Sequence, residues 1–244
     1  MKVTLTRKID YADVNPQFKQ DLGPFFKLIQ EAAVMHSEKV GFDSKTLLDQ
    51  GEVWILNAME AEIYRYPELR EEVSVVTWHK KSKGFKAFRD FNVYSGDEKL
   101  AAVASLWLYF DLKKKRLMRV PAETGRVYTS EAESAFDSTI GSWKPDDSFT
   151  PEFETGISVR ASDFDPLNHV NNAVYLDYLE TLAVRFFGRK KQAVGIKIQY
   201  KKEIGSNVTV VKAGLKETDT GCCFKIFNEH SLFAAGEMDL VGEK

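Results

Sequence analysis

The sequence predicts an α+β chain made of two copies of one unit, each a long helix followed by antiparallel strands. Three observations predict it. Two apolar stripes at helical spacing, FFKLIQEAAVMH (Phe25 to His36) and YLDYLETLAVRF (Tyr175 to Phe186), share their spacing of apolar residues. Each stripe is followed by runs rich in Val, Phe, Tyr and Thr that turn signals interrupt. Between the copies lies SEAESAFDSTIGSWKPDDSFT (Ser130 to Thr150), rich in Ser, Asp and Thr, which reads as a surface linker.

The elements follow in order. Pro24 suits the first turn of the first helix. The block IYRYPELREEVSVVTW (Ile63 to Trp78) resembles IQYKKEIGSNVTVVKA (Ile198 to Ala213), which lines up Glu68 with Glu203 and Val73 to Val76 with Val208 to Val211. AFRDFN (Ala87 to Asn92) then resembles CFKIFN (Cys223 to Asn228), and LAAVAS (Leu100 to Ser105) resembles LFAAGE (Leu232 to Glu237). SGDE (Ser95 to Glu98) and TDTG (Thr218 to Gly221) supply turns. A sheet with one apolar face needs a cover, and the helix provides it. A helix wrapped by a long antiparallel sheet is the hotdog arrangement, and two copies would form an internal pseudo-dimer. The expected bounds are 1–129 for the first hotdog, 130–150 for the linker and 151–244 for the second hotdog.

Composition narrows the function class. Hydrophobic residues make up 43% and charged residues 29%, values ordinary for a globular domain. The net charge of −2, from 34 basic and 36 acidic residues, argues against a nucleic-acid partner held by a broad basic surface. No apolar leader core opens the chain, and its longest apolar run, near LAAVASLWLYF, is too short to span a bilayer, so no membrane association is expected. Cys222 and Cys223 are adjacent and cannot staple distant segments, which points to a cytoplasmic setting. Neither a Gly-rich phosphate loop at a strand–helix junction nor a metal-ligand spacing is present, so no cofactor is expected.

The stretch SDFDPLNHVNNAVYLDYLE (Ser162 to Glu180) differs from the rest, because it sets a dense polar run directly before an apolar helix. Asp165 and Asn168 could simply form the turn into that helix. Asn171 or Asn172 could cap it. A helix start also carries exposed amides and partial positive charge, which would polarise a carbonyl placed there. The matching place in the first half, YADVNPQFKQDLG (Tyr11 to Gly23), holds no His, which predicts one active site per chain, in the second half.

With these runs in place, the chain resembles the acyl-acyl-carrier-protein thioesterases, a double-hotdog family, over nearly its whole length. The resemblance rests on an ordered set: Trp54-Ile-Leu, Arg65-Tyr66-Pro67, Thr77-Trp78, Phe88-Arg89-Asp90 and Ala104 to Trp107 in the first half. In the second half it rests on Ser162 to Asp165, His169-Val170-Asn171-Asn172 and Tyr200-Lys201-Lys202-Glu203. It implies hydrolysis of the thioester joining a fatty acyl chain to the phosphopantetheine arm of acyl carrier protein. It also implies catalytic roles for Asp165, His169 and Glu203, the last on a strand after the helix. The family pattern has Asn two residues before the His; here Leu167 stands there and Asn168 adjoins the His, so Asn168 is the candidate for the amide role. The Cys of the plant pattern after the Glu is Ile204, which favours water activated by a carboxylate over a thiol nucleophile.

The expected mechanism has one or both of Asp165 and Glu203 orient and deprotonate water, with assistance from His169 and the helix N-terminus and substrate contacts from Asn171 and Asn172. Direct attack by Asp165 through an anhydride is the competing route. Trp54, Leu56 and Met59 are candidate walls of an acyl tunnel, or core. The carrier is acidic, so Lys80, Lys81, Lys83, Lys86, Arg89, Lys201 and Lys202 are candidates for a basic docking face. An acyl-coenzyme A thioesterase and a non-catalytic acyl-binding protein on the same scaffold are the alternatives. Chain-length preference and oligomeric state stay open, a homodimer among the forms allowed.

Overall fold

A computed structural model describes residues 1–187 and 191–242 of the chain. They form two compact units, Met1–Ser142 and Trp143–Lys244. The division falls inside the stretch expected as a linker. Residues of its first part belong to the first unit: Glu60 accepts from Ser138 Oγ at 2.6 Å and Thr139 N at 2.9 Å, and Asp90 accepts from Ala135 N at 3.0 Å. Buried Ile140 and partly buried Phe136 pack with Ala58 and Leu106.

The first unit contains β1 (Val3–Lys8), α1 (Leu22–Lys39), α2 (Ser44–Gln50), β2 (Glu52–Ile63), β3 (Glu72–Lys83), β4 (Lys86–Ser95), β5 (Glu98–Asp111), β6 (Arg116–Leu117) and α3 (Thr124–Val127). Its antiparallel sheet has the order β1-β3-β4-β5-β2, with β6 paired to β5. Helix α1 buries Phe25, Phe26, Ile29, Ala32, Ala33 and His36, the stripe that its three- and four-residue spacing dictates. Each fully buried Phe contributes about 2 kcal/mol of transfer free energy, so the stripe rather than helix propensity holds α1 in place. Trp54 stacks on Tyr109 at 4.5 Å between centroids, beside buried Leu47 and Val120 under α2.

The second unit repeats the plan with β7 (Phe153–Ser158), α4 (Val174–Phe187), β8 (Lys191–Tyr200), β9 (Val210–Glu217), β10 (Gly221–Phe227) and β11 (Leu232–Gly242). Its sheet order is β7-β9-β10-β11-β8, the same sequence of neighbours. Residues 11–20 and 161–170 follow one path, a short 3-10 turn, a bridge and a tight turn, before α1 and α4 respectively. Both loops place a non-glycine residue in left-handed backbone, Phe18 at φ 60° and Asn168 at φ 59°. Cys222 and Cys223 lie side by side on β10 as free thiols, Cys222 buried.

The helix match of Phe25 with Tyr175 holds, but the strand matches made from sequence slip by one to three residues. Thr77 pairs with Val3 and Leu215 with Phe153, so Val73 corresponds to Val211, not Val208. Across the next ladders Thr77 faces Phe91 and Leu215 faces Phe224, which pairs Phe91 with Phe224. Most consequential, Gln20 N bonds Pro67 O at 2.8 Å where Val170 N bonds Ile204 O at 2.9 Å. Glu203 therefore corresponds to Tyr66, not Glu68. The connections between corresponding elements differ in length, α2 being the largest insertion, so no single offset aligns the two copies.

Candidate active site

The polar stretch becomes a closed loop pinned to α4 and to the connection between β8 and β9. Asp163, 1% exposed, anchors its start: the Arg160 amide and Nε donate to its carboxylate at 2.9 and 2.8 Å, and Tyr178 Oη donates at 2.6 Å. Its backbone oxygen accepts from Asn171 N at 2.9 Å, which closes the loop. Asp165 then makes the turn. Its Oδ1 accepts from Leu167 N at 2.9 Å and His169 N at 3.3 Å, while its own amide donates to His169 O at 2.9 Å. The turn reading of Asp165 is thus correct as far as it goes. Among the described residues, however, Oδ2 takes no hydrogen bond, nor do the ring nitrogens of half-buried His169.

The second partner loop, residues 201–207, is bonded directly to the first. His169 bridges Gly205, Val170 N donates to Ile204 O at 2.9 Å, and Asn168 Nδ2 donates to Ser206 Oγ at 3.2 Å. The Asn168 amide therefore ties the two loops together. Glu203 is exposed in this connection and does not lie on a strand, which corrects the expectation. Strand β8 ends at Tyr200 because Lys201 N and Lys202 N both turn to one acceptor, Phe233 O, at 2.8 and 3.2 Å, which breaks the ladder. Ile204, at 0% exposure, then inserts into the core and leaves Glu203 facing outward. Asn171 Oδ1 accepts from Ala173 N at 2.9 Å and caps the turn into α4; Asn172 offers its backbone oxygen to Tyr200 Oη at 3.0 Å. With Val174 N bonded to Asn171 O and Leu176 N to Ala173 O, the helix start offers a ligand mainly its positive field.

Three tyrosines frame this site, and sequence reasoning passed over them. Tyr178 holds Asp163, Tyr200 holds Asn172, and Tyr175 Oη lies 3.5 Å from Lys202 O. Tyr175 and Tyr200 meet edge to face at 5.2 Å. Burial, aided by the Glu203 and Asp165 carboxylates, drives the Tyr175 phenol pKa well above its usual value, so both acids act on one buried hydroxyl. The signal was in the repeat: the matching residues of the first unit are Phe25, Leu28 and Ile63, apolar side chains without hydroxyls.

The comparable loop of the first unit keeps the shell and lacks the chemistry. Asn15 Oδ1 accepts from Gln17 N at 3.0 Å and Lys19 N at 3.1 Å, in the place of Asp165. Lys19 bridges Glu68 where His169 bridges Gly205. Tyr66 replaces Glu203, and its ring stacks on Phe25 at 5.6 Å.

The model of the acyl-ACP thioesterase N-terminal domain matches residues 2–128, and that of the C-terminal domain matches residues 147–239. The chain belongs to the acyl-ACP thioesterase family. A palmitoyl-acyl carrier protein thioesterase of Arabidopsis thaliana is 27% identical over 191 residues, which cover 72% of this chain and 46% of that protein. A dodecanoyl-[acyl-carrier-protein] hydrolase of Cinnamomum camphora is 24% identical over 95% of this chain and 64% of its own length. The chain spans about half the length of most of these curated acyl-ACP thioesterases. Among solved structures, the 12:0-ACP thioesterase of Umbellularia californica superposes with a TM-score of 0.83 at 20% identity, covering 99% of this chain and 98% of that one. An acyl-ACP thioesterase of Bacteroides thetaiotaomicron gives 0.86 at 17% identity, with 98% of each chain covered. The α+β double-hotdog fold is thereby established.

Other features of the first unit bear on carrier docking. Arg89, offered above as a docking residue, is buried: its Nη1 contacts His36 Nδ1 at 2.9 Å and Thr77 Oγ1 at 3.2 Å, and its guanidinium lies over Tyr128. Lys80 pairs with buried Asp90 at 3.4 Å, and in the second unit Lys201 pairs with Asp147 at 2.9 Å. Lys81 and Lys83 stand exposed on the β3–β4 hairpin.

Proposed function

We propose that the chain hydrolyses fatty acyl thioesters of acyl carrier protein at the loop pair of its second unit, releasing the fatty acid and the carrier thiol. The observation that carries this reading is the joined pair of loops bearing Asp165, His169 and Glu203, set against a first unit that repeats their backbone with Asn15, Lys19 and Tyr66. Held backbone with open side-chain valences is what a preorganised site requires. Asp165 Oδ2 and Glu203 orient and deprotonate water for attack on the thioester carbon. The field at the start of α4 favours the charge that develops on the carbonyl oxygen, with His169 and the Asn171–Asn172 turn placing the ester. Asn168 contributes by tying the loops. The buried Ile204 side chain leaves no thiol at that place to compete. The relatives are named as acting on acyl carrier protein, which supports that carrier as partner over coenzyme A. The cytoplasmic setting and a homodimeric state are part of the same proposal, checked by cell fractionation and light scattering.

The test is hydrolysis of one acyl chain presented on carrier protein and on coenzyme A, at low and high salt. The carrier substrate is expected to give the higher kcat/KM and to lose more of it as salt rises, with Lys81→Glu and Lys83→Glu reproducing that loss at low salt. Equal kcat/KM and equal salt response on the two substrates contradict carrier selection.

A further inference from the structure

Glu203 is exposed, on a connection rather than a strand, yet a general base must be held to within a fraction of an ångström. What holds it is buried beneath. The Tyr175 hydroxyl, on a residue 1% exposed, donates to the carbonyl oxygen of Lys202 at 3.5 Å. That carbonyl belongs to the peptide joining Lys202 to Glu203. The ring is fixed in turn by the edge-on contact with Tyr200, whose hydroxyl holds Asn172.

The first unit serves as an internal control. It has the same helix position, filled by Phe25, and the same connection, in which Tyr66 stands for Glu203 and packs on that Phe ring. Phenylalanine is therefore compatible with this fold at this position, and the hydroxyl is not needed for packing. Hydroxyl and carboxylate occur together in one copy and are missing together from the other.

We propose that Tyr175 is a positioning residue for the hydrolysis, whose hydroxyl holds the peptide that leads into Glu203 and so fixes that carboxylate beside the Asp165 loop. This rests on the function proposed above. The role is one of placement: Tyr175 reaches Glu203 through the Lys202 carbonyl, and does not itself act on substrate.

The test is Tyr175→Phe, alone and combined with Glu203→Gln. The single variant is expected to lower kcat by about 10- to 100-fold with KM within about twofold, and to move Tm by no more than about 3 °C. In the Glu203→Gln background the same change is expected to lower kcat no further, because the residue it places is already gone. A fall of equal size in both backgrounds, or an unchanged kcat in the single variant, overturns the proposal. If wild type hydrolyses no acyl-carrier thioester, the proposed function fails by itself, and amide exchange still decides the placement. Exchange at Val170, whose amide donates to Ile204 O in the held connection, is expected to quicken at least about tenfold in Tyr175→Phe, and unchanged exchange overturns the placement.

Discussion

Phe18 and Asn168 occupy one position in the two copies, both at φ near 60°, and only one of them suits it. Asn tolerates left-handed backbone better than most residues, and here its amide also ties the turn to Ser206 on the neighbouring loop. Phe gains nothing of the kind and is 55% exposed. Phe18→Asn is therefore expected to stabilise the chain by about 1 kcal/mol, read as a higher urea midpoint with an unchanged slope. Asp163 makes the opposite case. Asp163→Ala leaves the Tyr178 hydroxyl and the Arg160 amide without their buried acceptor, and is expected to cost about 2–3 kcal/mol, with a smaller loss for Tyr178→Phe, in which both Arg160 donors remain on Asp163. Much of this scale was legible in advance. Asp165, His169 and Glu203 were identifiable as a set, and the structure puts them on loops bonded to each other. What the sequence hid was the division of labour between Asp163 and Asp165: two acids of one type, two residues apart, and only burial separates the structural one from the open one.

At the scale of the element, α1 carries a polar device into the core. Burial, with the Arg89 guanidinium beside both rings, holds the pKa of His36 down to about 3 and that of His79 to about 4. Ser130 and Ser82 hydroxyls occupy both ring nitrogens of His79, and Tyr128 stacks on both histidines. The unfolded chain takes up these protons near pH 6.5, so stability is full above that pH and falls as pH drops toward 4. The loss is expected to reach up to about 2 kcal/mol per histidine by pH 5, measured by urea unfolding across pH 7 to 5, and a flat profile contradicts it. The helices themselves were plain from their apolar stripes, since an unbroken period carries its own register. The strands were not: a slip of two residues keeps the same face, and the middles of β4 and β5 are buried throughout, so several registers look apolar and only the ladders fix which residue faces which. That ambiguity let Glu68 pass as the partner of Glu203, although the fold places Tyr66 there.

For the whole molecule, the duplication explains why one chain would carry one site. Each unit needs the same helix, the same sheet order and the same loop before its helix to bury a core, so the frame is kept in both. Nothing in packing requires Asp165, Glu203, the imidazole or the Tyr175 hydroxyl, and the first unit has none of them at these positions. The claim that hydrolysis belongs to the second unit alone is tested most directly by steady-state turnover of acyl-carrier thioester in wild type, Asp165→Asn and Asn15→Asp. Asn keeps an oxygen for the loop amides at position 165, and Asp keeps one at position 15, so both variants retain the turn. The account predicts that Asp165→Asn lowers kcat by about 100-fold or more while Asn15→Asp leaves it unchanged; undiminished turnover in Asp165→Asn would contradict it.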